Sequence, residues 1–126
     1  MTHKILVVDD EEAILFLYRE ELTEAGYQVF TANNGMNALT VLDEQGTVDL
    51  VVTDIKMPEI GGLGLVPYLR SRRPGIPVIV VTAFPQYRNI LTAEGSNVKA
   101  FFTKPLDFRE LRAKVAEILG SDKKGG

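Results

Sequence analysis

Short apolar runs of strand length alternate along the chain with longer segments of helical period. Ile5-Leu6-Val7-Val8, Leu50-Val51-Val52-Thr53, Val78-Ile79-Val80-Val81 and Ala100-Phe101-Phe102-Thr103 are the strongest runs. A weaker fifth, Gln28-Val29-Phe30-Thr31-Ala32, follows a turn signal at Gly26. Three of the strong runs are continuously apolar, as strands buried on both faces should be. Between them, Glu11 to Ala25 sets Ile14, Leu15, Tyr18 and Leu22 on one stripe, and Asn34 to Gln45 sets Ala38, Leu39 and Leu42 on another. Strand–helix alternation of this kind predicts βα units and a parallel sheet, an α/β fold.

The helix boundaries are uneven in quality. Asp107 can cap the last helix, with Glu110 at capping-box spacing and Leu106 and Leu111 at staple spacing. Leu111, Val115 and Ile118 give its buried face, and Gly120 ends it. The helix after Asp54 carries Gly61, Gly62 and Gly64, with Pro67 in its interior, which predicts a late start or a kink. Pro85 suits the first turn of the next helix, which is expected to be short because Gly95-Ser96-Asn97 reads as a loop.

At 126 residues the chain suits one domain, residues 1–120, followed by a flexible charged tail, 121–126. A formal net charge of −3 argues against direct binding of nucleic acid or an anionic membrane surface. There is no cysteine, hence no disulfide framework or thiol chemistry. The first apolar run begins at Ile5, which leaves no room for a signal peptide, and no stretch approaches the ~20 residues of a membrane span. The expectation is a cytoplasmic domain.

The chemistry lies where the runs end. Asp9-Asp10 follow the first, Asp54 the second, Thr82 the third and Lys104-Pro105 the fourth. In an open parallel sheet the functional crevice lies at the carboxyl ends of the strands. Singly, each residue has an ordinary use: Asp9-Asp10 as helix-capping acids, Asp54 in a turn, Lys104 on the surface, Thr82 closing a strand. Together they bring three carboxylates, a hydroxyl and an ammonium to one edge. Carboxylates so close repel unless a cation intervenes, and Mg2+ suits a few carboxylates, water and phosphate oxygens. An aspartate can attack phosphorus, and phosphoryl transfer needs mainly positioning and charge neutralisation. The Lys104-Pro105 bond is also a candidate for the cis form.

These residues carry a family resemblance. Val7-Val8-Asp9-Asp10, Asp54-Ile55-Lys56-Met57-Pro58 with Gly62 following, Thr82-Ala83 and Lys104-Pro105 occur in order and at family spacing. From about Lys4 to Leu119 the chain resembles the response-regulator receiver domain of two-component signalling, the family of the chemotaxis regulator and the sporulation phosphorelay protein. The resemblance implies a flavodoxin-like (βα)5 fold, doubly wound, with a five-stranded parallel sheet in the order 2-1-3-4-5. It implies that Asp54 accepts a phosphoryl group from a histidine kinase or a histidine phosphotransfer protein. It implies that Asp10, Asp54 and the backbone carbonyl of Lys56 ligate Mg2+, with Asp9 acting through water. Lys104 and Thr82 would hold the phosphoryl oxygens, and Phe101 takes the place of the switch aromatic that moves with Thr82. A phosphorylation-dependent dimer through the last two helices and fifth strand is left open, as is the identity of the output partner.

Some positions depart from the family. Gly61 replaces a common acid, Asn97 replaces a common glycine, and Phe101 lacks the hydroxyl of a tyrosine. Lys56 and Phe84 are expected to flank the phosphoryl group and tune its lifetime. Two other function classes compete. A Mg2+-dependent phosphatase with an aspartyl-phosphate intermediate commonly needs an acid two residues after its nucleophile, where this chain has Lys56. A degenerate receiver used only for contacts would not need Asp10, Asp54, Thr82 and Lys104 intact. Arg70, Arg72 and Arg73 read as a solvated helix end, with a docking patch as the alternative.

Overall fold

The computed structural model describes residues 2–55, 62–93 and 96–120. Its strands are β1 (Lys4–Val8), β2 (Gln28–Ala32), β3 (Leu50–Thr53), β4 (Val78–Thr82) and β5 (Val98–Thr103). They form one parallel sheet in the order β2-β1-β3-β4-β5. The helices are α1 (Glu12–Glu24), α2 (Gly35–Gln45), α3 (Gly62–Arg72), α4 (Arg88–Leu91) and α5 (Phe108–Leu119). The order that the resemblance implied is the order found.

Side chains alternate across a strand, so each run feeds two cores. Leu6, Val8, Val51, Val78, Val80 and Phe101 pack with residues of α2, α3 and α4 on one face. Ile5, Val7, Leu50, Val52, Ile79 and Val81 pack with α1 and α5 on the other. Full burial of such a side chain contributes about 1.5–3 kcal/mol, which is why the nearly continuous apolar runs of β1, β3 and β4 form the centre of this sheet. β5 starts earlier than the apolar run suggested. Its outer position at the sheet edge leaves Lys99 exposed between partnered residues, so the run reads as interrupted while the strand continues.

Helix ends follow local chemistry. The Asn34 side chain accepts the Asn37 N–H at 2.7 Å, and the Asp107 carboxylate accepts the Arg109 N–H at 2.8 Å. That bond outweighs the opposing desolvation and holds the Asp107 carboxyl below its usual range. Gly120 closes α5 with φ +83°, and its carbonyl accepts the Tyr27 hydroxyl at 2.7 Å. Pro67 stands inside α3 without ending it, while Leu65, Val66 and Leu69 around it are buried. The late start expected of this helix falls on residues outside the described ones. Pro85 opens a 3-10 turn, Pro85–Tyr87, and α4 after it is four residues long. The Lys104-Pro105 bond is cis.

The arginine cluster has a more specific use than solvation. Arg73 donates to the carbonyls of Gly46 and Leu42 at the end of α2, and Arg72 lies over the Tyr68 ring at 5.4 Å. The tail, residues 121–126, falls outside the described residues.

Leu111 is fully buried and fastens α5 to the sheet. Leu111→Ala is expected to cost about 2–5 kcal/mol in urea denaturation. A loss near zero would mean that α5 is not part of the cooperative core.

Candidate functional site

The strand order places β1 and β3 side by side with the chain leaving in opposite directions, to β2 from one and to β4 from the other. Such a switch point opens a crevice at the carboxyl ends of the strands. Val8 is paired with Thr53, so the next residues, Asp9 and Asp54, leave the sheet next to each other. The ladder extends one step further: Asp9 N–H donates to Ala32 O and Asp54 N–H to Val8 O, both at 3.1 Å. On the other side Thr82 pairs with Thr103, and Lys104 N–H donates to Thr82 O at 2.8 Å.

Lys104 completes the arrangement. Its Nζ donates to Asp54 Oδ2 at 2.7 Å and to Asp9 Oδ2 at 3.0 Å. The two carboxylates are 7 % and 1 % exposed, so this ammonium neutralises charge that water barely reaches. Asp9 is also oriented from its other oxygen, which accepts the Glu11 N–H at 2.9 Å. Burial pushes the Asp9 carboxyl above its ordinary value, although the Glu11 N–H and Lys104 pull it down. Burial alone would lower Lys104; its bonds and charge interactions with Asp54 and Asp9 outweigh that and hold it above the ordinary lysine value.

Thr82 is fully buried, and its Oγ1 accepts the Phe84 N–H at 3.1 Å. That bond uses the oxygen as acceptor and leaves the hydroxyl proton to donate elsewhere. Phe101 is buried in the core under α3 and α4. Asp10 is exposed at the mouth of the site. Lys56 lies outside the described residues, so its carbonyl is not placed.

Two residues escaped the sequence reading. Glu11 stands with its carboxylate 3.9 Å from Lys104 Nζ. The acidic run from Asp9 to Glu12 was the available signal, obscured because acids are ordinary at a helix start. Tyr18 is 2 % exposed, stacked edge-on against Phe108 at 5.4 Å. Burial, with Asp9 and Asp54 nearby, pushes its hydroxyl upward, so it remains neutral at the back of the site.

The donor set fits a hard divalent cation. Asp9, Asp10 and Glu11 each offer a carboxylate oxygen within 4.8 Å of the others. Oxygen ligands of small dications sit about 2.0–2.6 Å from the ion, so modest side-chain movement or bridging water closes that gap.

The model of the response regulator receiver domain matches residues 5–116. The chain belongs to this family. It is 39% identical to the transcriptional regulatory protein GlrR of Escherichia coli over 94% of this chain but only 27% of that protein. It is 34% identical to sporulation initiation phosphotransferase F of Bacillus subtilis, covering 94% of this chain and 95% of that one. The chain thus spans about a quarter of one curated relative and nearly all of another. Among solved structures, response regulator protein TrrA of Thermotoga maritima is 39% identical. In its complex with Mg(2+)-BeF it aligns with a TM-score of 0.82 over 94% of this chain and 100% of that one. In complex with histidine kinase ThkA the TM-score is 0.79, over 94% and 99%.

The receiver's buried acid yields a stability prediction. A folded Asp9 binds its proton more readily than an unfolded one, so its contribution to stability improves as pH falls through the raised folded value. With chelator present at pH 7, Asp9→Asn should raise the urea midpoint, and the gain should shrink on acidification as the wild-type carboxyl protonates. A lowered midpoint at pH 7 would show that the Lys104 pairing outweighs the burial of Asp9.

Proposed function

We propose that this receiver domain takes a phosphoryl group on Asp54 and switches conformation in response, as a cytoplasmic component of a two-component pathway. The observation that carries the reading is the bridge from Lys104 Nζ to both Asp54 and Asp9. It puts one mobile cation against the acceptor carboxylate where incoming phosphoryl oxygens would need charge neutralisation.

The attacking atom is an Asp54 carboxylate oxygen. A bond forms from it to phosphorus as the bond from phosphorus to the donor, a histidine nitrogen or the oxygen of a small acyl phosphate, breaks. The electron pair of that bond leaves with the donor. Lys104 moves from carboxylate to phosphoryl oxygen, and the Thr82 hydroxyl donates a hydrogen bond to another. Asp9, Asp10 and Asp54 would hold Mg2+, with the carbonyl of Lys56 assigned as a further ligand by the family resemblance. The ion when bound supplies charge neutralisation to carboxylates and phosphoryl oxygens together. The TrrA structures with Mg(2+)-BeF and with a histidine kinase support both the ion and the donor class. Sporulation initiation phosphotransferase F, matched over nearly its whole length, supports a place in phosphoryl relay.

Phosphorylation by acetyl phosphate with Mg2+ tests this. Intact-mass spectrometry should show one phosphoryl adduct that EDTA prevents and Asp54→Asn abolishes. Lys104→Ala should slow its formation by about 10²-fold, the usual loss on removing one preorganised charge donor. An adduct that persisted in Asp54→Asn would overturn the assignment.

A further inference from the structure

We propose that Arg88 is a positioning residue for Phe101, its guanidinium holding the ring inward by a cation–π contact. The proposal rests on the reading of Phe101 as the switch aromatic.

The ring sits on an edge strand with a strand neighbour on one side only, and is nevertheless 8 % exposed. Leu91 and Val98 share its apolar cluster, and Phe84 and Tyr87 pack against that cluster. What distinguishes the position is the cation. The guanidinium carbon of Arg88 lies 5.7 Å from the Phe101 ring centroid, inside the distance at which a ring face attracts a cation. A phenylalanine has no hydroxyl with which to fix its orientation by a hydrogen bond. Electrostatic attraction to the ring face is the polar interaction left to it, and Arg88 supplies the charge.

The same segment connects Arg88 to Thr82. Thr82 Oγ1 accepts the Phe84 N–H at 3.1 Å. Phe84 leads into the 3-10 turn Pro85–Tyr87, where proline fixes the first φ, and the Arg88 N–H donates back to the Pro85 carbonyl. One short, hydrogen-bonded link therefore carries a contact to the threonine at one end and the cation over the ring at the other. A displacement of Thr82 towards a phosphoryl oxygen pulls on its bond to Phe84 and so shifts the link that places Arg88. Thr82 and Phe101 are thereby coupled through the chain.

The test uses 13C-labelled phenylalanine, with the Phe101 signal assigned by its loss in Phe101→Leu. Ring exposure is read from relaxation enhancement by a soluble paramagnetic probe. Arg88 is exposed, so its substitution leaves the fold intact. Arg88→Met keeps an unbranched stem and removes the charge; it should raise the enhancement at Phe101 about two- to fivefold, the effect of losing an exposed cation–π contact. Arg88→Lys should retain most of the protection. Equal protection in Arg88→Met and wild type would overturn the proposal, because packing alone would then suffice. Repeating the measurement with Mg2+ and beryllofluoride separates the two claims. No response of wild type to beryllofluoride, with the Arg88→Met difference intact, would count against phosphorylation control and leave the Arg88 contact established.

Discussion

Two carboxylates shielded from water stay charged only beside a cation. At separations of a few ångströms the repulsion between Asp9 and Asp54 is strong in a medium less polarisable than water, and so is the attraction of each to an ammonium. Lys104 resolves the conflict for both at once. The arrangement is held as a balance: removing Lys104 leaves two buried carboxylates uncompensated, which is costly, whereas neutralising Asp9 leaves the lysine paired with Asp54. A site under that constraint is receptive to anything that redistributes charge. A divalent ion relieves the acids, and a phosphoryl group offers the lysine new oxygens.

The sheet supplies the geometry. Because β1 and β3 are neighbours in register, two residues 45 positions apart in sequence emerge side by side. Their backbones are pinned by the ladder bonds that continue past the strands. Lys104 comes from the far edge and reaches inward across β4, where its N–H is bonded to the Thr82 carbonyl. The threonine and lysine are thereby fixed to one another independently of what their side chains do. On the opposite face of β5, Phe101 is buried against the cluster that receives the segment after β4. Chemistry at the strand ends and packing beside α4 thus share a short stretch of chain, from Thr82 to Arg88.

Much of this was legible in the sequence because the central runs of the doubly covered sheet, Ile5–Val8, Leu50–Val52 and Val78–Val81, contain no polar residue until the site begins. Strand and helix order, the Asn34 and Asp107 caps, the shortness of α4 and the gathering of Asp9, Asp54, Thr82 and Lys104 at one edge follow from that pattern. The fold's strand order did not follow from periodicity and came from the family motifs. Three features were hidden for physical reasons. Arg73 bonds the carbonyls ending α2, a contact between helices that no local spacing encodes. Tyr18 reads as one more apolar stripe residue, since its hydroxyl shows no signature until the acids are placed beside it. Arg88 reads as a solvated helix residue because a ring face advertises no partner in one dimension.

The most direct test of the central claim is a crystal structure of the protein with Mg2+ and beryllofluoride. It should show beryllium bonded to an Asp54 oxygen and Lys104 Nζ turned from Asp9 to a fluorine. Beryllofluoride bound elsewhere, or Lys104 still bridging the two carboxylates with the acceptor loaded, would contradict the account.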